Sequence, residues 1–185
     1  MRDFIFGNQT RELAEGNWIS SEYGAPSMVI STPKVLVRQE VPLPPEAQGQ
    51  MEATAFAWQT IPPNISIAVY QFTFPKETQL DPNQLIAGQL AQFETQGFVA
   101  DIVKNEPYKT PNGAEGIKTF GSGTLKIAEK EIDISGEYAM LTFQAENVIQ
   151  QLFISWQEED EYSKTIATRV MQSVELQAPK QEEEN

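Results

Sequence analysis

Three groups of residues have types and a spacing that could do chemistry, and all three depend on oxygen ligands or backbone amides. The chain of 185 residues contains no His and no Cys. Gly121-Ser122-Gly123-Thr124 is the glycine-rich run that could cradle an anion, but it lacks the lysine of a phosphate loop and that motif's strand-to-helix setting. It reads instead as a turn or bulge between strands. Glu129, Glu131 and Asp133 gather three carboxylates on one extended segment, a donor type suited to a hard cation such as calcium. The glycine and closing glutamate of a calcium loop are missing, so a solvated face is the better reading. Glu115 with Glu129 or Asp133 has the residue types of a glycoside-cleaving acid/base pair. Among 26 acidic residues, however, such pairs arise without function. Without imidazole or thiolate there is no Ser/His/Asp triad, Cys/His dyad, His-held zinc, disulfide or Fe–S cluster. The residues therefore point to no enzyme, no catalytic, cofactor-binding or metal-ligating position, and no cofactor.

They do suggest a surface for a partner. Large aromatics usually belong to cores, and Trp18 and Trp156 are expected there, whereas Trp58 lies beside the Ile61-Pro62-Pro63 turn and is the candidate for exposure. Residues 42–50, 58–64 and 108–113 combine Pro or Gly with apolar or aromatic side chains and can present anchors at low ordering cost. If these segments cluster, Trp58, Ile61 and Tyr108 are the expected anchors for a protein partner. With 26 acidic against 13 basic residues and a net charge of -13, the surface repels nucleic acid and anionic lipid, and neither is expected as a partner. No window approaches the roughly 20 apolar residues of a membrane span, so no membrane insertion is expected, while a homodimer stays open. The opening Met1-Arg2-Asp3-Phe4-Ile5-Phe6-Gly7 lacks the apolar stretch of a signal peptide. As written the chain reads as cytoplasmic, or as periplasmic or envelope-associated if a signal has been removed.

The elements that must position these residues follow from periodicity. Residues 1–27 mix Gly, Asn, Ser and Pro and read as an irregular lead-in docking through Phe4, Phe6 or Trp18. Short strands are expected at 28–30 and 34–37. From Glu52 to Trp58 the side chains alternate, Ala53, Ala55 and Ala57 facing one way and Thr54, Phe56 and Trp58 the other, which is a strand. Residues 65–74 form the clearest strand and should pair with it as a hairpin. Asp81-Pro82 and Gly97 mark the start and stop of a helix whose apolar stripe is Leu85, Ile86, Leu90 and Phe93, with Gln84, Gln92 and Glu94 facing water. Extended segments at 98–103, 115–126, 131–143 and 148–156 suggest an antiparallel meander. The last of these is apolar on both faces and therefore central. Residues 160–173 have helical spacing, with the acidic run 158–161 capping the helix, and 177–185 form a charged tail expected to be disordered. One domain over 28–176 is the expectation. Its fold class is α+β, a twisted antiparallel sheet sandwiched by helices, with Phe72 and Ile154 in the core.

This order resembles the PsbP-like and Mog-like superfamily over residues 28–176. The resemblance rests on the pattern at 65–75, the helix at 82–96, the segment Glu115-Gly116-Ile117-Lys118, the paired strands within 134–156 and the closing 162–174. It implies binding without chemistry: photosystem accessory subunits, a Ran-binding regulator, lipoproteins and secretion chaperones share the architecture and no common ligand signature. The function this implies is a non-enzymatic accessory or binding protein, bacterial, recognising a protein partner at the envelope or as a secretion chaperone. A carboxylate-based hydrolase and a sensor for a cation or small ligand are the alternatives.

Overall fold

The structure, a computed structural model, describes residues 3–43, 45–127 and 132–177, with side chains from Gln9 onward apart from Ile132. Asp3–Glu15 is a helix, α1. Strands β1 (Ile19–Tyr23), β2 (Met28–Thr32) and β3 (Val37–Gln39) follow, then a single 3-10 turn at Pro45–Ala47. After these come β4 (Glu52–Gln59), β5 (Ile65–Thr73), helix α2 (Pro82–Thr95), β6 (Phe98–Ala100) and β7 (Lys104–Lys109). The long strands β8 (Glu115–Ile127), β9 (Ile132–Ala145) and β10 (Val148–Gln157) precede helix α3 (Glu161–Gln172) and a short β11 (Glu175–Leu176).

These strands form two antiparallel sheets, and that overturns the expected fold class. One sheet has eight strands in the order β3-β4-β5-β10-β9-β8-β6, with β7 also paired to β8. The other has three, in the order β1-β2-β11. The protein is 48% strand and 22% helix, a β-rich fold and not an α+β sheet sandwiched by helices. The reasoning that led there took β10 to be buried on both faces, which it is, and inferred helices on both. Among the described helices, α2 is the one that covers the first face. On the other, the three-stranded sheet shares the covering with α3, so a second sheet supplies apolar contact assigned to a helix.

The lead-in is also corrected. Residues 3–15 are helical and 19–23 are a strand. Gly7 and Asn8 are poor helix formers, so local propensity gave no warning, and packing against α3 decides the outcome. Thr10 is buried and donates to Asp160 Oδ1 at 3.3 Å, Trp18 Nε1 donates to the Leu13 carbonyl at 3.0 Å, and the Arg169 guanidinium lies 4.0 Å from the Trp18 ring centroid. The expected docking residues Phe4 and Phe6 lie outside the described side chains, as does the tail from 178 outside the described residues.

The strand expected at 34–37 lies at 37–39, the one expected at 98–103 ends at Ala100, and β7 was not expected, while other elements form as the periodicity requires. β4 and β5 pair as a hairpin, Ala57 opposite Ala68. At its end Thr60 Oγ1 accepts from the amides of Asn64 (2.9 Å) and Ile65 (3.2 Å). Asp81 caps α2 by accepting from Asn83 N, and Asp160 caps α3 by accepting from the Tyr162 and Ser163 amides. Gly121-Ser122-Gly123-Thr124 is neither turn nor bulge but the middle of β8. A Cβ at position 123 would collide with the Phe98 ring, and one at 121 with the Ile102 carbonyl, so these glycines admit close packing rather than a ligand.

The eight-stranded sheet thus separates two apolar clusters. The larger, with Ile30, Ile67, Leu152, Ile154, Ile166 and Val170 nearly inaccessible to water, lies under α3 and the small sheet. The smaller, with Ile86, Phe93, Tyr138, Met140 and Phe153, lies under α2.

Candidate functional site: a cleft between α2 and the sheet

Helix α2 is anchored towards one side of its face. Its Phe93 ring sits 4.4 Å from Phe153 between centroids and near Phe98, and the helix packs on β6 and β9. Strands β4 and β5 extend beyond it. There the inward side chains of β4 are alanines, too short to reach the helix. The result is a hollow of about 550 Å³, floored by Ala55, Ala57, Tyr70 and Phe72, walled by Leu85, Gly88, Gln89 and Gln92, and closed on its outer side by Val41, Pro42, Leu43 and Met51. A second hollow of about 230 Å³ shares Ala57, Tyr70 and Gln96 with the first and continues to Gly123 and Gly136, so the two form one trough.

Two features of the wall bear on what the trough could hold. Gly88 lies mid-helix at an exposed position bordering the cleft, and a Cβ built on it would meet nothing within 4 Å, so a larger side chain has open space at this edge. Apart from Glu40 the polar side chains of the wall are uncharged: the side-chain amides of Gln84, Gln89, Gln92 and Gln96 make no hydrogen bond among the described residues, and Gln39 donates only to the Val37 carbonyl. Tyr70 stands where the two hollows meet. Burial pushes its phenol up to about 12, so it stays protonated at any ordinary pH and can donate to a ligand acceptor. Among the described residues Glu40 is the one carboxylate on the wall of the larger hollow, and no Lys or Arg borders it.

Of the three residues expected as partner anchors, Ile61 is 85% exposed, while Trp58 and Tyr108 are partly buried against the larger cluster. Tyr108 Oη donates to the Met171 carbonyl at 2.8 Å, and burial raises its pKa. Trp58 on β4 and Tyr108 on β7 are separated by five strand spacings, about 24 Å, so the three do not share one surface. Their segments part likewise: Pro42 and Leu43 border the cleft, while 108–113 turns at the far edge and is held by Asn112 Nδ2 donating to the Leu176 carbonyl at 2.8 Å.

The carboxylate groupings fare no better. Asp133 pairs with Lys126 near one end of β8 and Glu115 begins the other end, eleven residues along the strand and about 36 Å away. Glu129 and Glu131 lie outside the described residues, among which no group of three acidic side chains converges to hold a metal ion. No described helix is long and apolar enough to cross a membrane.

Sequence reasoning missed Tyr70, Gly88 and the glutamines of α2 as a set. The signal for the floor was present, because the alternation of 53–58 puts Ala53, Ala55 and Ala57 on one face, and a strand face of alanines beneath a helix leaves space. Gln84, exposed as expected, and Gln92, half-buried, both border the cleft. Comparison with protein-family models and with curated proteins finds no match to this chain.

Proposed function

We propose that the protein is a non-catalytic binding protein whose cleft between α2 and the sheet receives a small apolar ligand. The observation that carries this is the hollow itself. Its volume, about 550 Å³, falls within the roughly 300–1,000 Å³ typical of small-molecule sites, and its floor is apolar with a few uncharged polar groups around it. A hydrolase working by paired carboxylates needs two acids about 5–10 Å apart across a substrate, and among the described residues this wall offers Glu40 alone. Support therefore goes to the ligand-binding alternative over the hydrolase. It also outweighs a protein partner held by Trp58, Ile61 and Tyr108, which do not converge.

An accessory role of the kind implied by the PsbP-like and Mog-like resemblance is compatible with this reading, since binding without chemistry is what those proteins share. One observation favours a protein partner as a second reading: Ile61, 85% exposed beside Pro62 and Pro63 at the hairpin end, is an apolar anchor that packs on little of its own chain.

The test is a fluorescence titration with the uncharged apolar probe N-phenyl-1-naphthylamine, with stoichiometry by native mass spectrometry. Saturable binding of one probe per chain, lost in Gly88→Leu, is expected. Absence of saturable binding, or binding indifferent to Gly88→Leu, would overturn the reading.

A further inference from the structure

We infer that the cleft selects uncharged ligands and rejects anionic ones of the same shape, so that its ligand is an uncharged chain or ring system bearing carbonyl, hydroxyl or amide groups. This deepens the proposed function and rests on the cleft being the binding site.

The argument starts from which charges border the trough. Among the described residues neither hollow is bordered by a Lys or Arg, and the chain has no His. Glu40 stands on the wall of the larger one. Glu137 borders the smaller, but its carboxylate accepts from Trp156 Nε1 at 3.0 Å on the opposite face of the sheet. A carboxylate or phosphate entering the trough would shed water over Ala55, Ala57 and Phe72 and find no cation to receive it, and a buried unpaired charge is costly. A cation fares little better inside, because the single acid is at an exposed position of the wall and the floor is apolar.

The absence of cations is particular to this face. A hollow of about 370 Å³ on the other side of the sheet, between α3 and β7, is bordered by Lys104, Lys118 and Lys164. In a chain with 13 basic and 26 acidic residues, three lysines among the described residues border that hollow and none borders the cleft.

What the cleft offers is amides. A glutamine side chain both donates and accepts, so Gln89, Gln92 and Gln96, whose side-chain amides make no hydrogen bond among the described residues, can match a carbonyl, hydroxyl or amide without any ionised partner. Tyr70 adds a donor at the junction of the hollows.

The decisive experiment compares two probes with the same ring skeleton. N-phenyl-1-naphthylamine is uncharged, and 8-anilino-1-naphthalenesulfonate adds one sulfonate to the same rings. The part of each signal that Gly88→Leu abolishes is the part bound in the cleft; sulfonate bound at the lysine hollow survives that substitution. In low salt, the cleft should bind the uncharged probe at least roughly tenfold more tightly than the sulfonate, and Glu40→Lys should narrow the ratio by about threefold. Equal or tighter binding of the sulfonate, with both signals lost in Gly88→Leu, would overturn the selectivity while leaving the cleft as a binding site. Failure of both probes to bind, or binding of both untouched by Gly88→Leu, would overturn the reading beneath it.

Discussion

The two faces of the eight-stranded sheet are covered in different ways. On one, a second sheet and α3 press Ile30, Ile166 and Val170 onto Ile67, Leu152 and Ile154, and all six are nearly inaccessible. On the other, a single 14-residue helix sits over one part of the sheet and leaves β4 and β5 extending past it. A cylinder about 10 Å wide cannot cover a sheet of this breadth, and the alanines of β4 do not rise to fill the difference. The covered face therefore stabilises the molecule, and the uncovered one leaves room for a ligand. The contrast teaches that the space arises from an undersized cover, with no distortion of the sheet beneath it.

Substitutions test that contrast, beginning with the most disruptive. Ile154→Ala on the covered face should cost about 3–4 kcal/mol through lost transfer energy and an unrelieved cavity, read from denaturant midpoints. Phe72→Ala on the cleft floor should cost about 1 kcal/mol less, because the gap it leaves joins space already open; equal losses would mean that the two faces are packed alike.

Alkaline titration probes the cleft side specifically. The Tyr70 phenol has a folded pKa of about 12 against 10 unfolded, so between those values the folded state holds the extra proton and the unfolded state does not. Stability is therefore full below pH 10 and falls as pH rises towards 12, by about 2 kcal/mol at most from this residue. Tyr138, also pushed up to about 12 by burial, adds to the decline. In Tyr70→Phe, unfolding free energy followed against pH should fall less steeply over this window; an unchanged slope would place the phenol in water.

Gly88→Leu should raise stability by about 0.5–1 kcal/mol in thermal melts, because leucine is a far better helix former than glycine and open space awaits its side chain. A loss would show that the cleft is narrower than described. Ile61→Ala, at the exposed hairpin end, should shift the midpoint by less than about 0.5 kcal/mol.

Much of the molecule was legible where a signal is local. The Asp81-Pro82 start, the Asp160 cap and the pairing of β4 with β5 follow from short-range chemistry, and the structure has each of them. The helix α1 was not legible, since its formation depends on Thr10 and Leu13 meeting elements far along the chain. Nor was the second sheet, whose pairing of β2 with β11 leaves no trace in either segment's own pattern. The site failed for a related reason. Aromatics beside prolines drew attention to Trp58 and Tyr108, both of which are used in packing, whereas a cleft made by short side chains and a missing one at Gly88 announces itself only when facing elements are brought together.

The β2–β11 pairing sets the order in which the molecule can assemble. Val29 finds its partner in Glu175, and β2 also rests on α3, so the small sheet cannot close until residues 161–176 have left the ribosome. The β4–β5 hairpin and the β8-β9-β10 meander can form earlier from near neighbours, leaving Ile67 and Ile154 uncovered meanwhile. Pairings so distant in sequence are slow to find, and an apolar sheet waiting for its cover is prone to associate with others like it. During synthesis the best-packed face is thus the last to be covered.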